Sequence, residues 1–251
     1  MTQQTLHVFG ASTALNYSEE HGLGDSRYSW PHVLAEKLNY ALKVHAEPGV
    51  CNSYIGSELI QTLDSIASTD LVIVLWGVWS RVMFCVDSGG DLLDSIRDDS
   101  LVCHSHSGDP SVVWIRSKGA CAKSWNPFSS FSINYNRPYY DTFFQKYYSD
   151  HKQHLADMEK ILLVKMLLDN NNINYIFSSL TASLIDENLP ESKNIEAMLQ
   201  DANWFFPNDL GILEFSNKKK WYISKNDHHF SINGHSKIAE LFHDRIKNTR
   251  L

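Results

Sequence analysis

Two serines near the start of this chain sit among small residues of the kind that shape a nucleophile turn. Ser12 closes Phe9-Gly10-Ala11-Ser12, and Ser26 closes Gly24-Asp25-Ser26. A serine hydroxyl attacks a carbonyl only when a base removes its proton, most often a histidine oriented by a carboxylate. The far end of the chain supplies both groups in Asn226-Asp227-His228-His229-Phe230-Ser231-Ile232-Asn233-Gly234-His235. The chemistry these residue types could perform is nucleophilic catalysis, provided the fold brings the two ends together.

The elements around the serines separate them. Leu6 to Phe9 reads as an apolar strand, and Gly10 permits a sharp exit, so Ser12 falls at the rim of a sheet. Ser26 has no strand before it; Asp25, Ser26 and Ser29 read as caps for the helix that follows, with Pro31 acceptable in its first turn. Helical spacing of Trp30, Val33, Leu34, Leu38 and Leu42 predicts a helix over 30–42. Lys43 to Ala46 predicts a weak strand, 55–66 a helix, and Asp70 to Gly77 a buried strand. A long helical stretch is expected over 141–168 with a break near His151, a strand at Asn174 to Phe177, and an amphipathic helix over 234–247. Strands alternating with helices imply parallel pairing through right-handed crossovers. The expectation is a single α/β domain over 1–251, a three-layer α/β/α sandwich with a central parallel sheet. Its site should lie at the C-terminal ends of the strands.

Residues 85–139 break this rhythm. Gly89-Gly90, Gly108-Asp109-Pro110 and Asn126-Pro127 punctuate the segment, and 111–115 reads as one strand of a small hairpin. So long a stretch without helices points to an excursion over the strand ends, of the kind that often carries function.

Composition bounds the partners. Apolar residues make up 43% and charged residues 20% of 251, which suits a folded domain with one good-sized core. A net charge of −7 argues against nucleic acid or an anionic membrane as partner. The longest apolar run, Leu71 to Trp76, is too short to cross a bilayer. The first five residues lead into a strand without a charged-then-apolar leader, so a cytoplasmic chain lacking a cleavable signal peptide is expected. Cys51, Cys85, Cys103 and Cys121 form no C-x-x-C pair and read as free thiols. Neither Cys103-His104-Ser105-His106 nor Asp227, His228, His229 and His235 has the spacing of a committed zinc site, and no metal or other cofactor is expected.

Taken together, the two terminal blocks resemble the SGNH/GDSL hydrolases, a family of serine esterases and acylhydrolases. Phe9-Gly10-Ala11-Ser12-Thr13-Ala14 resembles the family's opening block, and Asp227-His228-His229-Phe230-Ser231-Ile232-Asn233-Gly234-His235 its closing one. Ser29 to Ala35 is similar to the family's first helix, and Pro48-Gly49-Val50-Cys51-Asn52-Ser53 to its second block. The resemblance implies a flavodoxin-like SGNH hydrolase fold, with Ser12 as nucleophile, His229 rather than His228 as base and Asp227 as its orienting acid. It implies an oxyanion hole from the backbone of Ser12 and Gly49, with Asn52 as a side-chain donor.

The chain also departs from the pattern. Ala11 stands where the family has aspartate, and Asp227 lies two residues before His229 rather than three, with Asn226 in the three-back position. After the third strand, Trp76-Gly77-Val78-Trp79-Ser80-Arg81 lacks the family's oxyanion-hole asparagine; losing one such donor typically costs about 10²–10³ in rate. Trp79, Ser80 and Arg81 there, with Trp114 and Trp125 in the excursion, are the candidates for substrate binding, alongside Phe128, Phe131 and Tyr135. The implied substrate is a small-molecule or carbohydrate ester, first of all an acetylated sugar. The alternatives are a catalytically weakened binding or assembly module on the same scaffold, and an O-acyltransferase using the same residues.

Overall fold

Side chains alternate across a strand, so a strand buried on both faces must be apolar at every position. Leu71–Trp76 meets that condition and lies at the heart of the sheet. A computed structural model of the chain describes residues 3–18, 20–48, 50–77, 83–87, 101–105, 112–117, 150–182 and 192–249, with backbone only for the three segments between 83 and 117.

Its strands are β1 (Thr5–Gly10), β2 (Tyr17–Ser18), β3 (Gly22–Leu23), β4 (Ala41–Ala46), β5 (Leu71–Trp76), β6 (Met83–Asp87), β7 (Leu101–Ser105), β8 (Val112–Ser117) and β9 (Asn174–Ser179). Its helices are α1 (Trp30–Leu38), α2 (Asn52–Thr62), α3 (Asp150–Asn170), α4 (Ser192–Leu199), α5 (Ile212–Lys219) and α6 (Ile232–Thr249). The main sheet has the order β4-β1-β5-β9, parallel throughout. Helices cover both of its faces, which makes the three-layer α/β/α sandwich expected from the sequence.

Leu6, Val8, Ile73, Leu75 and Ile176 face a core closed by α1 and α6, where Trp30 stacks on Phe242 with ring centres 4.9 Å apart. Phe9, Val72, Val74 and Phe177 face the other core, closed by α2 and α3 through Ile55, Leu59, Ile161 and Val164. Truncating one of the buried rings to alanine would cost about 3–5 kcal/mol. The period-2 pattern therefore assigns alternate residues of each strand to opposite layers, and the helices supply the matching stripes.

Several boundaries differ from the sequence expectation. The first helix ends at Leu38 rather than 42, because Asn39 adopts a left-handed conformation (φ 56°) and the Tyr40 N–H bonds back to the Ala35 carbonyl. Leu42 instead enters β4, opposite Leu6 of β1. The second helix begins at Asn52 and gives way at Leu63 to a 3₁₀ turn. Residues 141–149 of the expected long helix lie outside the described residues, and α3 continues to Asn170. The exposed run Lys218-Lys219-Lys220 forms the last turn and cap of α5, where cations suit the helix dipole.

Within the excursion, the expected strand at 111–115 is found as β8. It is the middle strand of a three-stranded antiparallel sheet of order β6-β8-β7. Ser26 occupies a 3₁₀ turn capped by the Asp25 carboxylate, which accepts the Arg27 N–H at 3.0 Å.

Candidate active site

β1 delivers Ser12 to the rim of the sheet. The strand ends at Gly10, where an added Cβ would press on Ala14 at 3.1 Å and on the Leu75 carbonyl at 3.4 Å. A larger residue would therefore push the exit turn away from β5. Ala11 is extended, and Ser12–Ala14 then forms a 3₁₀ turn closed by Ala14 N–H to the Ala11 carbonyl at 2.9 Å. Ser12 is 4% exposed, at the floor of the site rather than on an open surface.

His229 arrives on the segment before α6. Ser224 and Asp227 exchange backbone hydrogen bonds, and the Ser224 hydroxyl also accepts the Asp227 N–H. That turn aims the Asp227 side chain back at its own neighbour. Its Oδ1 accepts the backbone N–H of His229 at 3.0 Å and the imidazole Nδ1–H at 2.7 Å. The two-residue spacing is thus sufficient: one carboxylate oxygen holds both the peptide and the ring of His229.

Gly234 sets where the segment lies. The Ser231 N–H and hydroxyl both donate to the Trp221 carbonyl, and a Cβ at Gly234 would collide with that same carbonyl. Only glycine lets the first turn of α6 pack so closely.

His229 Nε2 lies 2.8 Å from Ser12 Oγ. An ionised carboxylate can only accept, so Nδ1 carries the ring proton, Nε2 is the lone-pair nitrogen, and the Ser12 O–H donates to it. Tyr17 of the β2–β3 hairpin packs edge-on to the imidazole, with ring centres 4.8 Å apart. The ring is therefore braced on one side by a carboxylate and on the other by an aromatic wall. Such an arrangement can pass a proton from a hydroxyl to an imidazole and back. His228, by contrast, is turned to Asn217, with Nδ1 2.9 Å from Oδ1.

The oxyanion-hole candidates divide. The backbone N–H of Ser12 donates to no acceptor among the described residues, while Gly49 lies outside them. Asn52 was expected as a side-chain donor, and the structure corrects its placement. Its residue is fully buried, its Oδ1 accepts the Gly77 N–H at 2.7 Å, and its Nδ2 donates to Asp157 Oδ2 at 2.8 Å and more weakly to the Gly77 carbonyl at 3.4 Å. Both amide hydrogens and the oxygen are thus engaged inside the core. Asp157 in turn accepts from Gln153 Nε2 at 3.0 Å. Burial pushes the Asp157 carboxyl up to about 8, although both amide hydrogen bonds act to lower it.

Trp79, Ser80, Arg81 and Trp125 lie outside the described residues, as do Phe128, Phe131 and Tyr135. Trp114 sits in β8, level with Cys85 and His104 on the neighbouring strands. Among the described residues no group of three histidine, cysteine or acidic side chains could hold a metal ion. Cys51 is a buried thiol that desolvation pushes up to about 12, far from a reactive thiolate. Among the described residues no helix is long and apolar enough to cross a membrane.

No protein-family model matches the sequence, and no curated protein does. Solved structures do match. Protein YXIM of Bacillus subtilis superposes with a TM-score of 0.50 at 12% identity, over 100% of this chain and 58% of that one. A carbohydrate esterase, described as displaying divergent catalytic and non-catalytic binding functions, superposes with a TM-score of 0.50 at 12% identity, over 99% of this chain and 66% of that one. The fold is SGNH/GDSL hydrolase-like. A putative lipolytic protein of the G-D-S-L family from Desulfitobacterium hafniense overlaps at a TM-score of 0.42 and 11% identity, over 96% of this chain and 98% of that one. The chain thus spans under two thirds of the length of the first two structures.

On this scaffold, one neighbour of the site and one core partner of Asn52 escaped the sequence reading. Tyr17 belongs to a hairpin of two-residue strands, too short for any periodicity to reveal. Asp157 lies in the middle of α3, 105 positions from the asparagine it receives, and carries no local signal.

Proposed function

We propose that this chain is a serine-dependent ester hydrolase acting on a small-molecule or carbohydrate ester, with an O-acetylated sugar as first candidate. The carrying observation is the unbroken hydrogen-bond line Asp227–His229–Ser12, with spacings of 2.7 and 2.8 Å. The fold's likeness to a carbohydrate esterase supports the choice of substrate class.

In this reading Ser12 Oγ attacks the ester carbonyl carbon while His229 Nε2 takes the hydroxyl proton. Asp227 steadies the imidazolium so formed. The carbonyl oxygen becomes an oxyanion beside the backbone N–H groups of Ser12 and Gly49. Collapse breaks the bond to the leaving alkoxide, which takes the proton from His229. A water then gives its proton to His229, adds to the acyl-Ser12 carbonyl, and expels Ser12 as the alcohol, leaving a free carboxylic acid. With Asn52 engaged in the core, its amide is not a third donor in this reading, in which the backbone N–H groups of Ser12 and Gly49 hold the oxyanion. That predicts a modest turnover relative to a hole with a third donor, by about 10²–10³.

The test is hydrolysis of p-nitrophenyl acetate and of an acetylated oligosaccharide by the wild type and Ser12→Ala. The variant is expected to lose activity by a factor on the order of 10³ or more. Undiminished turnover in Ser12→Ala would remove Ser12 from the mechanism.

A further inference from the structure

A second path of hydrogen bonds joins the nucleophile to its base. Thr13, the residue after Ser12, receives the indole N–H of Trp30 on its carbonyl at 3.0 Å. The backbone N–H of Trp30 donates to His235 Nδ1 at 3.2 Å. The backbone N–H of His235 is bonded at 2.8 Å to the carbonyl of Ser231, two residues beyond His229. Ser12 and His229 are 217 positions apart in the chain. They are therefore tied twice, once directly and once through Trp30 and His235.

Every member of the second tie is held in place. Trp30 and His235 are fully buried. The Trp30 ring stacks on Phe242, and the His235 ring meets Phe230 edge-on at 5.4 Å. Gly234 lets the start of α6, one residue before His235, pack against the Trp221 carbonyl. Accepting at Nδ1 requires the neutral ring with its proton on Nε2. Burial, helped by the nearby His229, lowers His235 to about 4 and keeps the ring neutral. Its Nε2–H finds no partner among the described residues. A leucine or phenylalanine would fill the same space without that desolvation penalty, so the acceptor at Nδ1 is the feature that distinguishes histidine here.

We propose that Trp30 and His235 are positioning residues that set the separation and angle between Ser12 Oγ and His229 Nε2. The proposal rests on the esterase reading for its kinetic consequences, while its geometric consequence stands without it. Trp30 fixes the turn that carries the nucleophile, and His235 fixes Trp30 to the helix whose entry carries the base. In a chain with Ala11 beside the nucleophile, this brace acts on the turn from the side of Thr13.

Trp30→Phe keeps an aromatic ring against Phe242 and removes the indole N–H along with part of the ring system, while His235→Ala and His235→Asn test the same tie without altering the indole. The kcat of Trp30→Phe is expected to fall about 10- to 100-fold with KM changed less than about threefold, since small misplacements of reacting groups act on the chemical step. His235→Ala should behave alike, whereas His235→Asn should stay within about threefold of wild type, because the amide oxygen can accept where Nδ1 did. In parallel, the ¹⁵N shift of His229 Nε2 reads the bond to Ser12 directly, with Ser12→Ala as the reference for its loss. Movement toward that reference in Trp30→Phe and His235→Ala, but not in His235→Asn, is the expected result. A folded Trp30→Phe with wild-type kcat and an unmoved His229 signal overturns the proposal. Should Trp30→Phe not fold, equal signals in His235→Ala and wild type overturn it instead. Should the wild type hydrolyse nothing, the imidazole shift still decides the brace, and the esterase reading falls alone.

Discussion

Asp227 and Asp157 each head a line of hydrogen bonds that ends at the exit of a strand, one at Ser12 after β1 and one at Gly77 after β5. The middle residue separates them. Between Asp227 and Ser12 stands an imidazole, able to take a proton and carry positive charge beside a carboxylate. Between Asp157 and Gly77 stands an amide, which donates and accepts hydrogen bonds but takes no charge. An amide brings no positive charge, so its hydrogen bond offsets the desolvation of Asp157 only in part, and burial pushes the carboxyl up to about 8. In the proposed reading the first line moves a proton; the second ties the start of α2 to the end of β5 and to α3. Similar geometry can serve chemistry in one place and architecture in the other, according to whether the central side chain is an imidazole or an amide.

Replacing Asp227 with asparagine breaks this contrast most severely, because it makes the reactive line resemble the silent one. Asparagine can offer the imidazole a donor where a pure acceptor stood, favouring the wrong ring tautomer. We expect kcat to drop by a factor on the order of 10³–10⁴ with little change in KM. Steady-state kinetics on the same p-nitrophenyl ester measures it. A loss below tenfold would show that the carboxylate does not orient the base.

Asp157→Asn sharpens the same contrast with a smaller effect, read in stability rather than rate. A carboxyl raised in the folded state favours the protonated form there. Its stabilising contribution is full below the ordinary carboxylate value of 3.8 and is lost as pH rises through about 8. Across that window the wild type should lose at most about 1.4 kcal/mol per pH unit relative to Asp157→Asn, which cannot ionise. Melting temperatures of the two proteins at pH 5 and pH 8 give the answer: the gap should shift in favour of the variant at pH 8. A gap independent of pH would mean that Asp157 does not change protonation in this range. Turnover of Asp157→Asn at pH 6 should remain within about twofold of wild type, since the amide resembles the protonated acid in shape.

Much of this organisation can be read in the residues themselves, for identifiable reasons. Leu71–Trp76 is apolar at every position, and Leu6 to Phe9 ends in a glycine, so two central strands and the place of Ser12 follow from local pattern. The Asp227–His229 pair is equally local, since both members lie on one turn. Leu38 and Leu42 mislead because the same spacing suits a helix and a following strand; the left-handed Asn39 decides between them. Short α5 shows little apolar pattern, and the sign of its start is Glu214, whose carboxylate accepts the Gly211 N–H at 2.9 Å. The role of Asn52 was out of reach because it depends on Asp157, far along the chain. No motif tells whether a buried amide faces a substrate or another helix.

The central claim is that Ser12 is made nucleophilic by His229. A fluorophosphonate probe tests it directly, because phosphorylation of a hydroxyl with loss of fluoride requires an activated oxygen. Incubating the folded wild type, Ser12→Ala and His229→Ala with the probe, then mapping the modified peptide, reads the site without knowing the natural substrate. The account predicts a single label on Ser12 in the wild type and none in either variant. An unlabelled wild type, or a label that survives in Ser12→Ala, would contradict it.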